Sequence, residues 1–154
     1  MDSSDVHLPQ NITLTGYVPL EILHEGQYTL VYRALRSEDH TSVIVKTSQP
    51  QVPLRFSDHL AFRNQFTIGR HLNHPGIIQL FSLEPCQQTY ALIMEDFQGI
   101  ALSEFLQSAV ALLEGLKIAL QLADILHYLS QQRVLHKDIK PANILIHPQT
   151  LQVK

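Results

Sequence analysis

His136-Lys137-Asp138-Ile139-Lys140-Pro141-Ala142-Asn143-Ile144-Leu145-Ile146 decides how the rest of the chain is read. Four hydrogen-bonding or charged side chains, His136, Asp138, Lys140 and Asn143, fall within eight residues. They lie between the apolar runs Val134-Leu135 and Ile144-Leu145-Ile146, so the segment is expected to be a loop between two strands. A surface loop needs charge for solubility, but not a carboxylate, an ammonium two residues on and an amide five residues on. Phosphoryl transfer needs that set: a carboxylate to orient a hydroxyl, a cation for the charge on the phosphoryl oxygens, and an oxygen donor for a metal ion.

Composition narrows the setting. The 154 residues suit one ordinary domain, and 45% hydrophobic residues are ample for a core. A net charge of -3 and a pI near 6.3 leave no broad basic face, so neither nucleic acid nor an anionic membrane is expected as a partner. Cys86 is the single cysteine, which excludes an internal disulfide and a cysteine-rich zinc site. The sequence holds no apolar span of about 18 residues, and Met1-Asp2-Ser3-Ser4-Asp5 lacks the basic start of a signal peptide. A cytoplasmic location is the expectation. Nine histidines are many, but none form an H-E-x-x-H pair, and His71 and His74 read as a helix end and the turn after it.

Upstream of the loop, Leu112 to Gln132 carries Leu116, Leu120 and Ala123, then Ile118, Leu122, Ile125 and Leu129. Apolar over more than one stripe, it is expected to be a long helix buried on several sides. Leu102 to Ser108 suggests a short helix. Ile77 to Leu83 and Thr89 to Met94 read as strands, the second leaving into the polar connector Glu95-Asp96-Phe97-Gln98-Gly99. Before them a helix is expected from Asp58 to about Leu72, capped by Ser57 and ended by Asn73-His74-Pro75-Gly76. Leu60, Ala61, Ile68 and Leu72 form its stripe, with Phe62 and Phe66 paired one turn apart. Pro50 and Pro53 mark a linker. Val18 to Leu23, Thr29 to Leu35 and Ser42 to Thr47 are short β-branched or aromatic stretches between turns, an antiparallel meander. Residues 1 to about 14 are polar and aperiodic, a loose leader.

The loop resembles the catalytic loop of a eukaryotic-type Ser/Thr protein kinase, and the resemblance extends over residues 17 to 154. It implies an α+β, bilobal fold, truncated. A small lobe of five antiparallel strands and one helix would occupy 15–94, a hinge 95–99, and an incomplete large lobe with its first helices and catalytic loop 100–154. ATP and Mg²⁺ would be the cofactors and a protein Ser or Thr the acceptor. Asp138 would accept or orient the hydroxyl proton, and Lys140 would steady the γ-phosphate, favouring Ser/Thr over Tyr. Asn143 would hold one Mg²⁺ through its amide oxygen. Lys46, closing Val43-Ile44-Val45-Lys46, would hold the α- and β-phosphates, with Ile44 above the adenine. Leu23, Gly26 and Val31 would belong to the glycine-rich loop that covers the nucleotide. Met94 would guard the back of the adenine pocket, the backbone of Glu95 to Phe97 would bond the adenine edge, and Leu145 would form the floor. His136 would pack under the loop.

Several residues depart from that pattern. Gly26 is the one glycine of its loop, with His24 and Thr29 where others would stand, which implies a stiffer lid with fewer phosphate contacts. Gln65 stands where a helix glutamate would pair with Lys46, so that contact is either a neutral hydrogen bond or assembled in another way. Lys137 replaces an arginine, keeping charge without the planar fork, which argues against control by a phosphorylated activation loop. After Asn143 no Asp or Glu occurs up to Lys154. The metal-binding Asp-Phe-Gly is therefore expected just beyond, and the long helix would expose apolar surface unless more chain or another protein covers it. The chain alone is expected to be inactive, the N-terminal part of a longer signalling kinase with further domains C-terminal. Phe62-Arg63-Asn64-Gln65, Leu83-Glu84-Pro85 and Met94 to Gly99 resemble the N-terminal kinase domains of large cyanobacterial proteins that also carry a nucleotide-binding region, a GAF domain and a sensor histidine kinase. The alternatives are a pseudokinase, binding nucleotide or docking without catalysis, and a broken gene product without function.

Overall fold

The computed structural model describes residues 14–49 and 56–154, with side chains from residue 60 onward in the second stretch. Most of the expected leader, the Pro50 and Pro53 linker and the Ser57 side chain lie outside the described residues. Two compact units divide the chain: one runs to His71 and resumes over Gln79–Asp96, the other takes Leu72–Ile78 and Phe97–Lys154.

The first unit contains β1 (Tyr17–Glu25), β2 (Thr29–Arg36), β3 (Ser42–Ser48), α1 (Phe56–Gly69), β4 (Leu80–Cys86) and β5 (Thr89–Glu95). The strands form one antiparallel sheet in the order β1-β2-β3-β5-β4. Strict alternation fixes its faces. Leu30, Tyr32 and Ala34 of β2, Val43 and Val45 of β3, and Ala91 and Ile93 of β5 make a buried core with Leu14 and Cys86. The residues between them face the other way, and register aligns Val31 with Lys46, Arg33 with Ile44, and Ile44 with Met94.

α1 lies against β4 and β5, and it corrects the expected helix in three ways. It begins at Phe56, so Ser57 sits in its first turn rather than at the cap, and it ends at Gly69 rather than Leu72. Among its described side chains the buried one is Phe62, whereas Leu60 and Ile68 of the expected stripe are exposed. A short helix resting on a sheet buries a narrow strip, and the largest apolar ring gains most there. β4 begins at Leu80 instead of Ile77, because the Ile77 N–H is taken by the His74 carbonyl in a turn at 3.0 Å.

The second unit contains β6 (Ile100–Ala101), α2 (Leu102–Phe105), α3 (Leu112–Gln131), a 3-10 turn (Pro141–Asn143) and β7 (Leu145–Ile146), with β6 and β7 antiparallel. α2 stops at Phe105, short of the expected Ser108. Ile118 of α3, Leu102, Ile146 and Val153 are the buried centre, with Leu122 and Ile125 packed against it. Burial is confined to that face: Leu112, Leu113, Leu116 and Leu120 are exposed, Leu120 at 71%, so α3 is not buried on several sides in this chain. Gln121 binds the turn after β7 through both ends of its amide, donating to Leu151 O at 2.7 Å and accepting from the Val153 N–H at 3.0 Å.

α3 ends in a Schellman turn. The Val134 N–H reaches Leu129 O at 2.9 Å and the Arg133 N–H reaches Ser130 O at 3.0 Å, with Arg133 at φ 57° in the position glycine usually takes. Val134 and Leu135 then form no strand, and Leu135 is 81% exposed. The loop that follows therefore joins a helix to a strand, not two strands.

Candidate nucleotide and catalytic site

In the second unit the loop brings its expected residues together. Asp138 Oδ2 lies 3.0 Å from Lys140 Nζ and accepts from Asn143 Nδ2 at 2.7 Å. The same amide nitrogen donates to the Asp138 carbonyl at 2.9 Å, and the Asn143 N–H closes the 3-10 turn on Lys140 O at 2.9 Å. Pro141 at the first turn position fixes the φ that this closure needs. Hydrogen bonds from Lys140 and then Asn143 hold the Asp138 carboxyl below the usual carboxylate range. Asp138, Lys140 and Asn143 are all exposed, so the group is an ionised carboxylate open to a reactant. His136 does not pack under the loop: it is exposed, and its Nδ1 accepts from the Asp138 N–H at 3.4 Å. Asn143 turns its nitrogen to Asp138, which leaves its amide oxygen for a hard cation. No three His, Cys, Asp or Glu side chains cluster as metal ligands among the described residues, so a Mg²⁺ there would draw its other oxygens from phosphate and water.

The first unit presents Val31, Ile44, Lys46 and Met94 on one sheet face. Lys46 Nζ donates to Gln65 Oε1 of α1 at 3.1 Å, so the contact is a hydrogen bond to an uncharged amide rather than an ion pair. Burial lowers the Lys46 pKa below its ordinary value of 10.5, and the ion pairs among the described residues do not include this lysine. A cavity of about 130 Å³ opens beside it, lined by Tyr28, Thr29, Ser48, Ala61, Phe62 and Gln65.

Leu23 falls in a register shift between Ile22 and His24 and is exposed. The hairpin tip is tied down: the Gly26 N–H donates to Thr29 O at 2.8 Å, and Gln49 Nε2 donates to Gly26 O at 3.1 Å. The glycine amide is thus spent within the hairpin. Glu95 closes β5, its N–H on Gln79 O at 2.9 Å and its carboxylate on the Gln79 N–H at 3.1 Å.

Phe97 and Leu145 belong to the second unit. The Phe97 ring meets the His147 edge at 6.2 Å and Lys154 Nζ at 5.6 Å. Gly99 leaves the space they need, since a Cβ there would stand 2.7 Å from the Phe97 ring and 3.0 Å from Ile146 O. Leu145 exchanges backbone hydrogen bonds with Lys154 at 2.8 and 2.9 Å.

The model of the protein kinase domain family matches residues 17–154. The chain belongs to that family. It is similar to the MAP kinase kinase kinase wis4 of Schizosaccharomyces pombe, 31% identical over 127 residues that make 80% of this chain and 9% of that protein. To the human serine/threonine-protein kinase ULK3 it is 30% identical over 135 residues, 86% of this chain and 29% of that one. The fold matches the crystal structure of Rad53 1-466 in complex with AMP-PNP at a TM-score of 0.75 and 24% identity, covering 90% of this chain and 37% of that chain. The kinase domain here thus spans less than half the length of the relatives it matches. The α+β kinase fold expected from the loop is the one found, with its five-stranded antiparallel sheet, one helix, and the first helices of a second lobe.

Sequence reasoning missed two groups in this kinase domain. His74 Nε2 pairs with Asp124 at 3.1 Å while its Nδ1 accepts from the Gly76 N–H at 3.0 Å, and the Asn73 N–H donates to the Tyr128 hydroxyl at 2.8 Å. That set pins the Leu72–Ile78 segment to α3, and the polar pair Asn73-His74 before Pro75 was its only trace. The second group, Arg33, Ser42 and Asp96, left no trace, since its members stand 54 and 63 residues apart.

Proposed function

We propose that this domain transfers the γ-phosphate of ATP to Ser or Thr of a protein substrate, within a longer signalling kinase. The observation that carries the reading is the Asp138–Lys140–Asn143 group, in which two side chains of one fixed loop lie within hydrogen-bond distance of the Asp138 carboxylate. Asp138 orients the attacking hydroxyl. With its pKa held low it takes the proton late, as the oxygen–phosphorus bond forms and the bond to the ADP oxygen breaks. Lys140 neutralises charge on the transferring phosphoryl group and selects Ser/Thr over Tyr. Mg²⁺ would be held by the Asn143 amide oxygen and would screen the phosphate charge.

Lys46 holds the α- and β-phosphates; Leu23, Gly26, Val31, Ile44, Met94 and Leu145 enclose the nucleotide; and the backbone of Glu95 to Phe97 reads the adenine edge. The corresponding organisation is a small lobe over 15–94, a hinge over 95–99 and a large lobe beginning at 100, in a cytoplasmic protein with further domains C-terminal. The phrases around Phe62, Leu83 and Met94 favour the branch of large cyanobacterial kinases.

Calorimetry of ATP with Mg²⁺ on the 154-residue chain tests the nucleotide site. Saturable binding that Lys46→Ala reduces at least tenfold supports it, and no binding in a folded sample overturns it. Binding without transfer is the second reading, favoured by the neutral Lys46–Gln65 contact. An extended kinase whose phosphate transfer survives Asp138→Ala would remove the catalytic role of this loop.

A further inference from the structure

Asp96 is the residue after β5, and its side chain is 3% exposed. Arg33 meets it with a fork, Nε to Oδ2 at 2.7 Å and Nη2 to Oδ1 at 3.3 Å, and Ser42 Oγ donates to Oδ2 at 2.6 Å. The third guanidinium nitrogen of Arg33 pairs with Glu21. One arginine therefore ties β1, β2 and the end of β5 together, with β3 joining through Ser42. A buried ion pair is seldom retained for stability, since apolar residues of the same volume do as well or better. What the fork supplies is direction: two parallel hydrogen bonds fix both the distance and the plane of the carboxylate.

The backbone beyond β5 is where that direction matters. The last ladder pair is Val43 with Glu95, and the next residue, Asp96, is held through its carboxylate by Arg33 and Ser42. Arg33 also stands beside Ile44, itself paired with Met94, on the face assigned above to the nucleotide.

We infer that Arg33, through Asp96, is a positioning residue for adenine: it aims the peptide groups after Glu95 that read the base. This rests on the nucleotide reading above. A residue that sets base-reading peptides changes base preference, whereas one that only holds the sheet weakens every nucleotide alike.

The test is calorimetry of the 154-residue chain with ATP and separately with GTP, for the wild type, Arg33→Met and Asp96→Asn. The expected result is that the preference for ATP over GTP falls about tenfold in Arg33→Met, with GTP affinity little changed. Asp96→Asn keeps the shape, leaves Glu21 as the anion facing Arg33, and gives the same direction of change if Arg33→Met does not fold. An unchanged preference in either folded variant, when the wild type binds ATP, overturns this inference and leaves the nucleotide site standing. A wild type that binds no ATP overturns the site itself and the inference with it.

Discussion

Two contacts on one face of the first unit's sheet follow opposite electrostatic rules. At the end of β5, Asp96 and Arg33 form a part-buried, forked ion pair completed by Ser42. Toward α1, Lys46 meets the uncharged amide of Gln65. A kinase sheet with Gln65 in place of a glutamate has lost the charge pair at the helix, and this one carries a charge pair at the end of β5. The difference lies in what each partner can give up. Lys46 with an amide remains a desolvated cation with charge to spare for an anion, while Arg33 with Asp96 is neutralised and can only orient. The first contact is built to be completed by a ligand and the second to be complete without one.

The largest break in that comparison is Arg33→Met. It leaves the Asp96 carboxylate buried without its cation, and the expected cost is about 3 kcal/mol in urea unfolding. Arg33→Met with Asp96→Asn is expected to recover more than half of that, because the stranded charge is gone. Equal losses in the single and double variants would show that the stem of Arg33 packs the sheet and that the fork contributes little.

The comparison also shows how far the sequence could be read. β2 and β3 were legible because Leu30-Val31-Tyr32-Arg33-Ala34 and Val43-Ile44-Val45-Lys46 are short β-branched or aromatic runs between turns, and the catalytic loop because His136, Asp138, Lys140 and Asn143 lie within eight residues. The Lys46–Gln65 contact was one of the two outcomes that the kinase resemblance implied, because it places Gln65 where a helix glutamate would meet Lys46. Asp96 could not be read that way, because its partners lie 54 and 63 residues away and a carboxylate after a strand normally reads as solvated. The run Val134-Leu135 misled because apolar residues after a helix look like a strand, while the left-handed turn at Arg133 carries no glycine to announce it. Phe62 was hidden by Leu60 and Ile68, which have the right spacing but point away from the sheet.

A charge at position 65 sharpens the contrast from the other side. Gln65→Glu gives Lys46 the anion it lacks. The expected gain is about 0.5 kcal/mol at low salt, small because Gln65 is exposed. The gain is expected to shrink in 1 M salt as the pair is screened. A gain that is independent of salt would mean that the substitution acts through helix propensity in α1 rather than through Lys46.

The smallest effect is the pH dependence that Lys46 carries. Its pKa in the folded protein lies below the ordinary 10.5, so between those two values the unfolded chain binds more protons than the folded one. Stability contributed by this group therefore rises with pH through that window, the reverse of a lysine held by a carboxylate. Cys86 and Tyr32 act in the opposite sense, because burial raises the thiol above 9.0 and the phenol above 10.0. Their unfolded forms lose protons first, and stability falls as pH passes those values. The difference between the wild type and Lys46→Met cancels both. As the pH rises toward 10.5 the wild type is expected to gain stability on the variant, measured by urea unfolding at each pH. In Gln65→Glu that gain should vanish, since an acid beside the lysine restores its pKa. A flat difference across the window would mean that Lys46 is solvated in the free protein. The cation would then meet an incoming phosphate with its water still to be removed, and the contrast with Arg33 would reduce to burial alone.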